Sequence, residues 1–157
     1  MGADEEFMRL AIEKARDGVR GGQTPFGACI VRDGQVVACE HNEVWASGDI
    51  TAHAEMVAIR RACEVLGTID LSGCVIYSSC EPCPMCFSAC HWARIGRIVY
   101  GAAISDAREA GFSELSISNE QMAKLGGSGL EIVAGCMAAE ARELFDLWLS
   151  QANRRVY

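Results

Sequence analysis

Two apolar runs, 27–32 (GACIVR) and 35–40 (QVVACE), are separated only by Asp33-Gly34. Asp-Gly tolerates the positive φ angles of a tight hairpin turn, and two residues leave room for nothing longer. That hairpin commits the chain to a sheet. Residues 73–78, 97–102 and 130–134 are short apolar runs that continue it, with helical patterns between them. Over 5–20, Met8, Ala11, Ile12, Ala15 and Val19 recur at helical spacing up to Gly21-Gly22. A second helix is predicted over 52–66, with Thr51 as its N-cap and Gly67 as its stop. A third spans about 84–94, with Pro84 near its first turn, and a long one spans 137–153. Residues 41–51 and 105–127 show no clear period. Strands alternating with helices predict an α/β fold. Its five-stranded mixed sheet has an antiparallel hairpin, parallel later strands and helices on both faces.

The chain has 157 residues, which fits one domain over 1–157. No stretch reaches the ~18 consecutive apolar residues of a membrane span. Asp4, Glu5 and Glu6 stand where a secretory signal has basic residues and an apolar run, so a cytoplasmic protein is expected. Nine cysteines, an odd number, argue against a disulfide framework. Cys29, Cys39, Cys63, Cys74 and Cys136 have apolar neighbours and no ligand spacing, which predicts core positions. The formal net charge is −7, and the basic cluster near the end is only the pair Arg154-Arg155. A phosphate backbone calls for a basic patch, so a small molecule fits this balance better than a nucleic acid.

Two segments carry chemistry: Thr51-Ala-His53-Ala-Glu55 and Cys80-Glu-Pro-Cys83-Pro-Met-Cys86. Each opens a predicted helix. Cys83 and Cys86 share one face of a helical turn, and a helix N-terminus favours thiolates. One imidazole and two thiolates leave the fourth position of tetrahedral zinc to water, the pattern of a catalytic site. Zinc draws the pKa of water towards ~7. Two thiolates weaken that effect, which makes a nearby base such as Glu55 useful. His-x-Glu followed by Pro-Cys-x-x-Cys is the signature of zinc deaminases. Singly, His53 reads as an ordinary helix residue and Glu55 as a solvated one. Cys80, Cys83, Cys86 and Cys90 also match an iron–sulfur run, which would leave His53 and Glu55 without a role. A structural zinc module that binds a partner is the non-enzyme alternative.

At these residues the chain resembles the cytidine deaminase-like zinc superfamily, and within it the bacterial guanine deaminases. The likeness extends to Pro25-Phe26-Gly27-Ala28, His41-Asn42, Ser79-Cys80-Glu81-Pro82, Trp92-Ala93-Arg94, Glu109-Ala110-Gly111-Phe112 and the tail from Ala152 to Tyr157. It implies a three-layer α/β/α fold and one zinc ion per chain on His53, Cys83 and Cys86. Glu55 would move protons while guanine becomes xanthine and ammonia. It further implies substrate contacts from Phe26, which would stack on the base, and from Asn42, Ala54, Glu114 and Tyr157. Tyr157 would close the site from a neighbouring subunit in a tail-swapped homodimer. Glu114 stands where that family usually has Asp, and Ile50 where proline is common. The stretch Leu130 to Leu147 is closer to the tRNA adenosine deaminases. Guanosine, cytosine, cytidine and tRNA adenosine therefore stand as alternative substrates. Phe26 as a core aromatic, Asn42 as a turn cap and a disordered Tyr157 are the bland alternatives.

Overall fold

In the computed structural model, which describes all 157 residues, Asp33 and Gly34 take φ values of +50° and +72°. They join β1 (Gly27–Arg32) to β2 (Gln35–His41) as an antiparallel pair. β3 (Cys74–Cys80) lies antiparallel to β1 on its other side, and β4 (Arg97–Ala102) and β5 (Glu131–Val133) follow in parallel. The order is β2-β1-β3-β4-β5, the mixed sheet that the hairpin and the later alternation predict.

Helices cover both faces. α1 (Ala3–Arg20) packs on β1, β2 and β3, and α7 (Ala138–Leu149) packs on β4 and on α1. α1 sits so close that a Cβ at Gly27 would lie 2.1 Å from the Ala11 carbonyl oxygen, so only glycine fits there. On the opposite face α3 (Ala54–Leu66) packs on β1 and β2, and on α4 (Pro84–Trp92), which in turn touches α6 (Asn119–Gly126). The short helices α2 (Val44–Ser47) and α5 (Ile104–Glu109) complete the fold. One apolar cluster, including Met8, Ile12, Ile30, Ile76, Ile98 and Leu144, runs through both layers. No helix is long and apolar enough to cross a membrane.

Several boundaries differ from expectation, among them the start of α1, which begins at Ala3 rather than residue 5. α3 begins at Ala54 with His53 as its N-cap, because Thr51 is engaged elsewhere. Asp49 Oδ1 accepts from both the N–H and the hydroxyl of Thr51, which winds 49–51 into a turn of its own. α4 stops at Trp92, and Arg94 turns left-handed at φ +62°. α7 ends at Leu149, short of the predicted 153. All nine cysteines are free; Cys29 and Cys74 are buried as expected, whereas Cys39, Cys63 and Cys136 are half-buried at the edge of the core.

Candidate metal centre

His53 and Cys83 are both N-caps, of α3 and α4, and neither side chain caps its own helix. They turn towards each other instead. His53 Nδ1 lies 3.6 Å from Cys83 Sγ and 3.6 Å from Cys86 Sγ. A tetrahedral zinc with bonds of roughly 2.0 Å to nitrogen and 2.3 Å to sulfur sets those atoms about 3.6 Å apart. The three ligand atoms lie within 4.8 Å of one another, and no fourth protein donor joins the cluster. The donor set therefore fits one zinc ion, of the kind that keeps a position open. Cys80 and Cys90 stay outside it: the Cys80 thiol donates to the Ala103 carbonyl, and Cys90 is buried in the core. The iron–sulfur run is not gathered.

The local chemistry suits a cation. The neighbouring Cys86 thiol and the His53 ring hold the Cys83 thiol down to about 4 against the cost of burial. The Cys86 thiol is held correspondingly high by that same contact and by its burial. One positive ion between the two sulfurs removes their competition for a single negative charge. Both helices also direct their positive N-terminal ends at the cluster, where first-turn N–H groups have no intrahelical partner. Ala54, fully buried, begins one of those turns.

Glu55 follows one residue later and is 5% exposed. Its Oε1 accepts from the Ser78 hydroxyl at 2.8 Å, and burial pushes its carboxyl up, with His53 opposing. A chamber of about 10 Å³, the size of one water or ion, is bounded by His53, Cys83, Glu55, Phe26, Glu114 and Tyr157. It adjoins an outer cleft of about 270 Å³ whose wall includes Ile50, Met85, Phe112, Glu114 and Leu115. Burial, then the Cys83 and Glu55 charges, push the Glu114 carboxyl up to about 7.

Of the residues expected at the site, Phe26, His53, Glu55, Cys83, Glu114 and Tyr157 line the two cavities, Cys86 completes the metal cluster, Asn42 contacts Tyr157, and Ala54 lines neither cavity. Phe26 serves two surfaces: it walls the chamber and packs edge-on against Phe112 and Phe145, at 5.0 and 5.9 Å between ring centres. Asn42, fully buried, also has two roles. Its Oδ1 accepts from Val44 N–H as a turn cap, and its Nδ2 donates to the Tyr157 hydroxyl at 2.8 Å. Tyr157 is ordered against its own chain's cleft, 5.7 Å from the His53 ring and 5.7 Å from Phe112. Thr24 offers its hydroxyl to the same phenol at 3.5 Å.

Further residues build the site without having been singled out. Ser78 orients Glu55 and sits at the end of a strand, where a serine carries no local signal. Glu81 is buried and accepts from the N–H groups of Ile104 and Asn119, tying the loop after β3 to α5 and α6. Trp45 holds the tail: its indole N–H donates to the Arg155 carbonyl at 3.2 Å, and the Arg155 guanidinium lies 4.2 Å above its ring.

Residues 1–102 match the model of the cytidine and deoxycytidylate deaminase zinc-binding region. The chain belongs to that family. It is accordingly a zinc-dependent hydrolase of the deaminase type, and the His53–Cys83–Cys86 cluster is where one ion fits. It is 50% identical over 117 residues to guanine deaminase of Bacillus subtilis, an overlap of 74% of this chain and 75% of that one. It is 46% identical over 96 residues to the tRNA-specific adenosine deaminase of Agrobacterium fabrum, covering 61% of this chain and 63% of the relative. Among solved structures, guanine deaminase from Nitrosomonas europaea superposes with a TM-score of 0.85 at 28% identity, covering 94% of this chain and 85% of that one.

Proposed function

We propose that the chain hydrolyses the exocyclic amine of a free nucleobase, with guanine as substrate and xanthine and ammonia as products. The observation that carries this reading is the buried Glu55 carboxylate beside a three-donor zinc cluster, at the floor of a small cleft. Zinc held by His53, Cys83 and Cys86 supplies a Lewis acid that acidifies water. Glu55, its Oε1 anchored by Ser78, takes the proton as water adds to the ring carbon bearing the amino group. It passes that proton to a ring nitrogen, then carries the remaining hydroxyl proton to the amine, so that the C–N bond breaks, ammonia leaves and a carbonyl forms.

The substrate class follows from the cleft. At about 270 Å³ it lies just below the 300–1,000 Å³ typical of drug-sized ligands, which suits a single flat heterocycle. Phe26 walls the inner chamber, where it would stack on the base, the first turn of α3 at Ala54 offers N–H donors, and Asn42 has a second amide hydrogen for a base. The Glu114 carboxylate is placed to accept from a purine amine. Tyr157, which lines both cavities, would close the opening. Half identity to a guanine deaminase over three quarters of its length supports guanine over cytosine or guanosine. A screen of ammonia release against guanine, guanosine, adenine, cytosine and cytidine tests the assignment. Activity confined to another member of that set replaces guanine, and silence on all of them removes the reading.

The second reading is a tRNA adenosine deaminase, favoured by the 46% identity to one. A net charge of −7 and a tail lying across the cleft oppose it. RNA affinity that falls steeply with salt would favour it. We further infer a tail-swapped homodimer, in which a partner's tail makes the contacts that Tyr157 makes within one chain. Nine free cysteines suit the reducing cytoplasm.

A further inference from the structure

The proposed mechanism uses two of the nine thiols. Among the other seven, Cys29 on β1 and Cys39 on β2 face each other directly across the hairpin. The phase of the ladder decides how close they come. Asn42 N–H donates to the Phe26 carbonyl at 3.0 Å, which makes Phe26 and Asn42 a hydrogen-bonded pair. Pairs alternate along an antiparallel ladder, so Ala28 with Glu40 is hydrogen-bonded, and Cys29 with Cys39 is not. The β-bulge lies beyond them, between Ile30 and Val31, and does not disturb this count. In a non-hydrogen-bonded pair the Cα atoms stand about 4.5 Å apart with side chains close, inside the roughly 4.4–6.8 Å that a disulfide spans.

Both side chains lie on the sheet face under α1. Gly27, two residues before Cys29, faces Ala11, and the Cys39 thiol donates to the Leu10 carbonyl at 3.6 Å. Cys29 is fully buried, whereas Cys39 is half-buried at the rim. The two differ chemically as well. The neighbouring Cys29 thiol holds the Cys39 thiol below its ordinary value, aided by Lys14 and opposed by burial, Glu40 and Asp17. The same contact and burial hold the Cys29 thiol high.

We propose that Cys29 and Cys39 form a dithiol that hydroperoxides oxidise to a cross-strand disulfide, with Cys39 as the attacking sulfur and Cys29 as the resolving one. The Cys39 thiolate attacks one peroxide oxygen: an S–O bond forms, the O–O bond breaks, and hydroxide leaves to be protonated to water. The Cys29 sulfur then attacks that sulfenic sulfur: an S–S bond forms, the S–O bond breaks, and the Cys29 proton leaves with the hydroxyl as water. Two thiols lose two electrons and one hydrogen peroxide becomes two waters. This site is separate from the metal cluster and does not depend on the substrate assigned above.

Trypsin offers a clean readout, because Arg32 lies between the two cysteines. Gly21–Arg32 contains Cys29 alone and Asp33–Arg60 contains Cys39 alone. The zinc-loaded full chain is treated with limiting hydrogen peroxide, alkylated, digested without reductant and weighed by mass spectrometry. The expected product is the linked pair of these two peptides, 2 Da lighter than their sum. It should account for most chains before Cys63, Cys74 or Cys136 loses alkylation, with zinc still bound. Cys29→Ser should leave Cys39 as sulfenic or sulfinic acid. Both peptides recovered as free thiols, or Cys39 linked to any cysteine other than Cys29, would overturn the proposal without recourse to a variant.

Discussion

The Ser78 hydroxyl donates to Glu55 Oε1 at 2.8 Å in the buried floor of the site, joining the end of β3 to the first turn of α3. One carboxylate oxygen is thereby fixed, and the other is left to exchange protons. Ser78→Ala removes a hydrogen bond to an ionisable group, a change of roughly 1.5–3 kcal/mol. The expected outcome is a kcat about 10- to 100-fold lower for guanine, with KM and zinc content little changed. Ser78→Thr, which keeps the hydroxyl, should recover much of the rate. Steady-state kinetics on the three proteins check this, and an unchanged kcat for the alanine variant would remove Ser78 from the positioning of Glu55.

Tyr157 reaches the site through its hydroxyl, which Asn42 Nδ2 contacts at 2.8 Å. Tyr157→Phe keeps the ring over the cleft and loses that contact, about 1 kcal/mol net. KM for guanine should rise about fivefold, the factor that energy corresponds to, and zinc binding should be spared. Removing residues from Arg154 onward should have a larger effect of the same kind, because the Trp45–Arg155 anchor goes with them. Equal kinetics in all three proteins would show that the tail takes no part in closure.

Two thiolates and an imidazole at two helix starts should make metal binding part of folding. Extraction with a chelator should lower the melting temperature and abolish ammonia release, and about one zinc ion per chain should restore both. Cys83→Ser should bind zinc more weakly and melt near the metal-free value. Calorimetry with metal analysis decides; a chelated protein that melts unchanged would argue that the cluster holds no structural ion.

Away from the site, Asp4 ties α1 to the sheet. Its two oxygens accept from Arg97 at 2.8 Å each, and the Tyr77 hydroxyl donates to it at 2.9 Å. The Arg97 hydrogen bonds hold the Asp4 carboxyl below its ordinary value, with burial opposing and Tyr77 assisting. A carboxyl lowered on folding stabilises above its unfolded pKa of about 3.9 and loses that contribution as pH falls through the folded value. Water screens part of the pair, so Asp4→Asn should cost about 1 kcal/mol at pH 7. Urea melts should show that gap closing as the pH is lowered below about 4. A gap that persists to pH 2 would mean that the pair contributes nothing through its charge.

The sheet and most of its helices are legible in the sequence because their signals are local. Asp33-Gly34 dictates the hairpin, and apolar runs of five or six residues mark the strands. Thr51 misleads for an equally local reason: it is a good N-cap by type, but Asp49 two residues earlier claims both of its donors. His53 and Cys83 are legible as ligands yet not as N-caps, since neither bonds its own helix and only the folded pair reveals why. The segment 105–127 hides α5 and α6 because both are short and are held by the distant Glu81 carboxylate. Asn42 shows how two readings of one residue can both hold, its oxygen capping a turn and its nitrogen facing the site. Ser78 and Trp45 escape notice because their partners, Glu55 and Arg155, are 23 and 110 residues away.

The most direct test pairs zinc content with ammonia release from guanine in the native chain and in Glu55→Gln. About one zinc ion per chain should be found in both proteins, with turnover in the variant lower by at least the roughly 10²–10⁴-fold of a lost proton carrier. A variant that releases ammonia at a comparable rate would contradict the role given to Glu55. A native chain that binds zinc and leaves guanine intact would contradict the substrate.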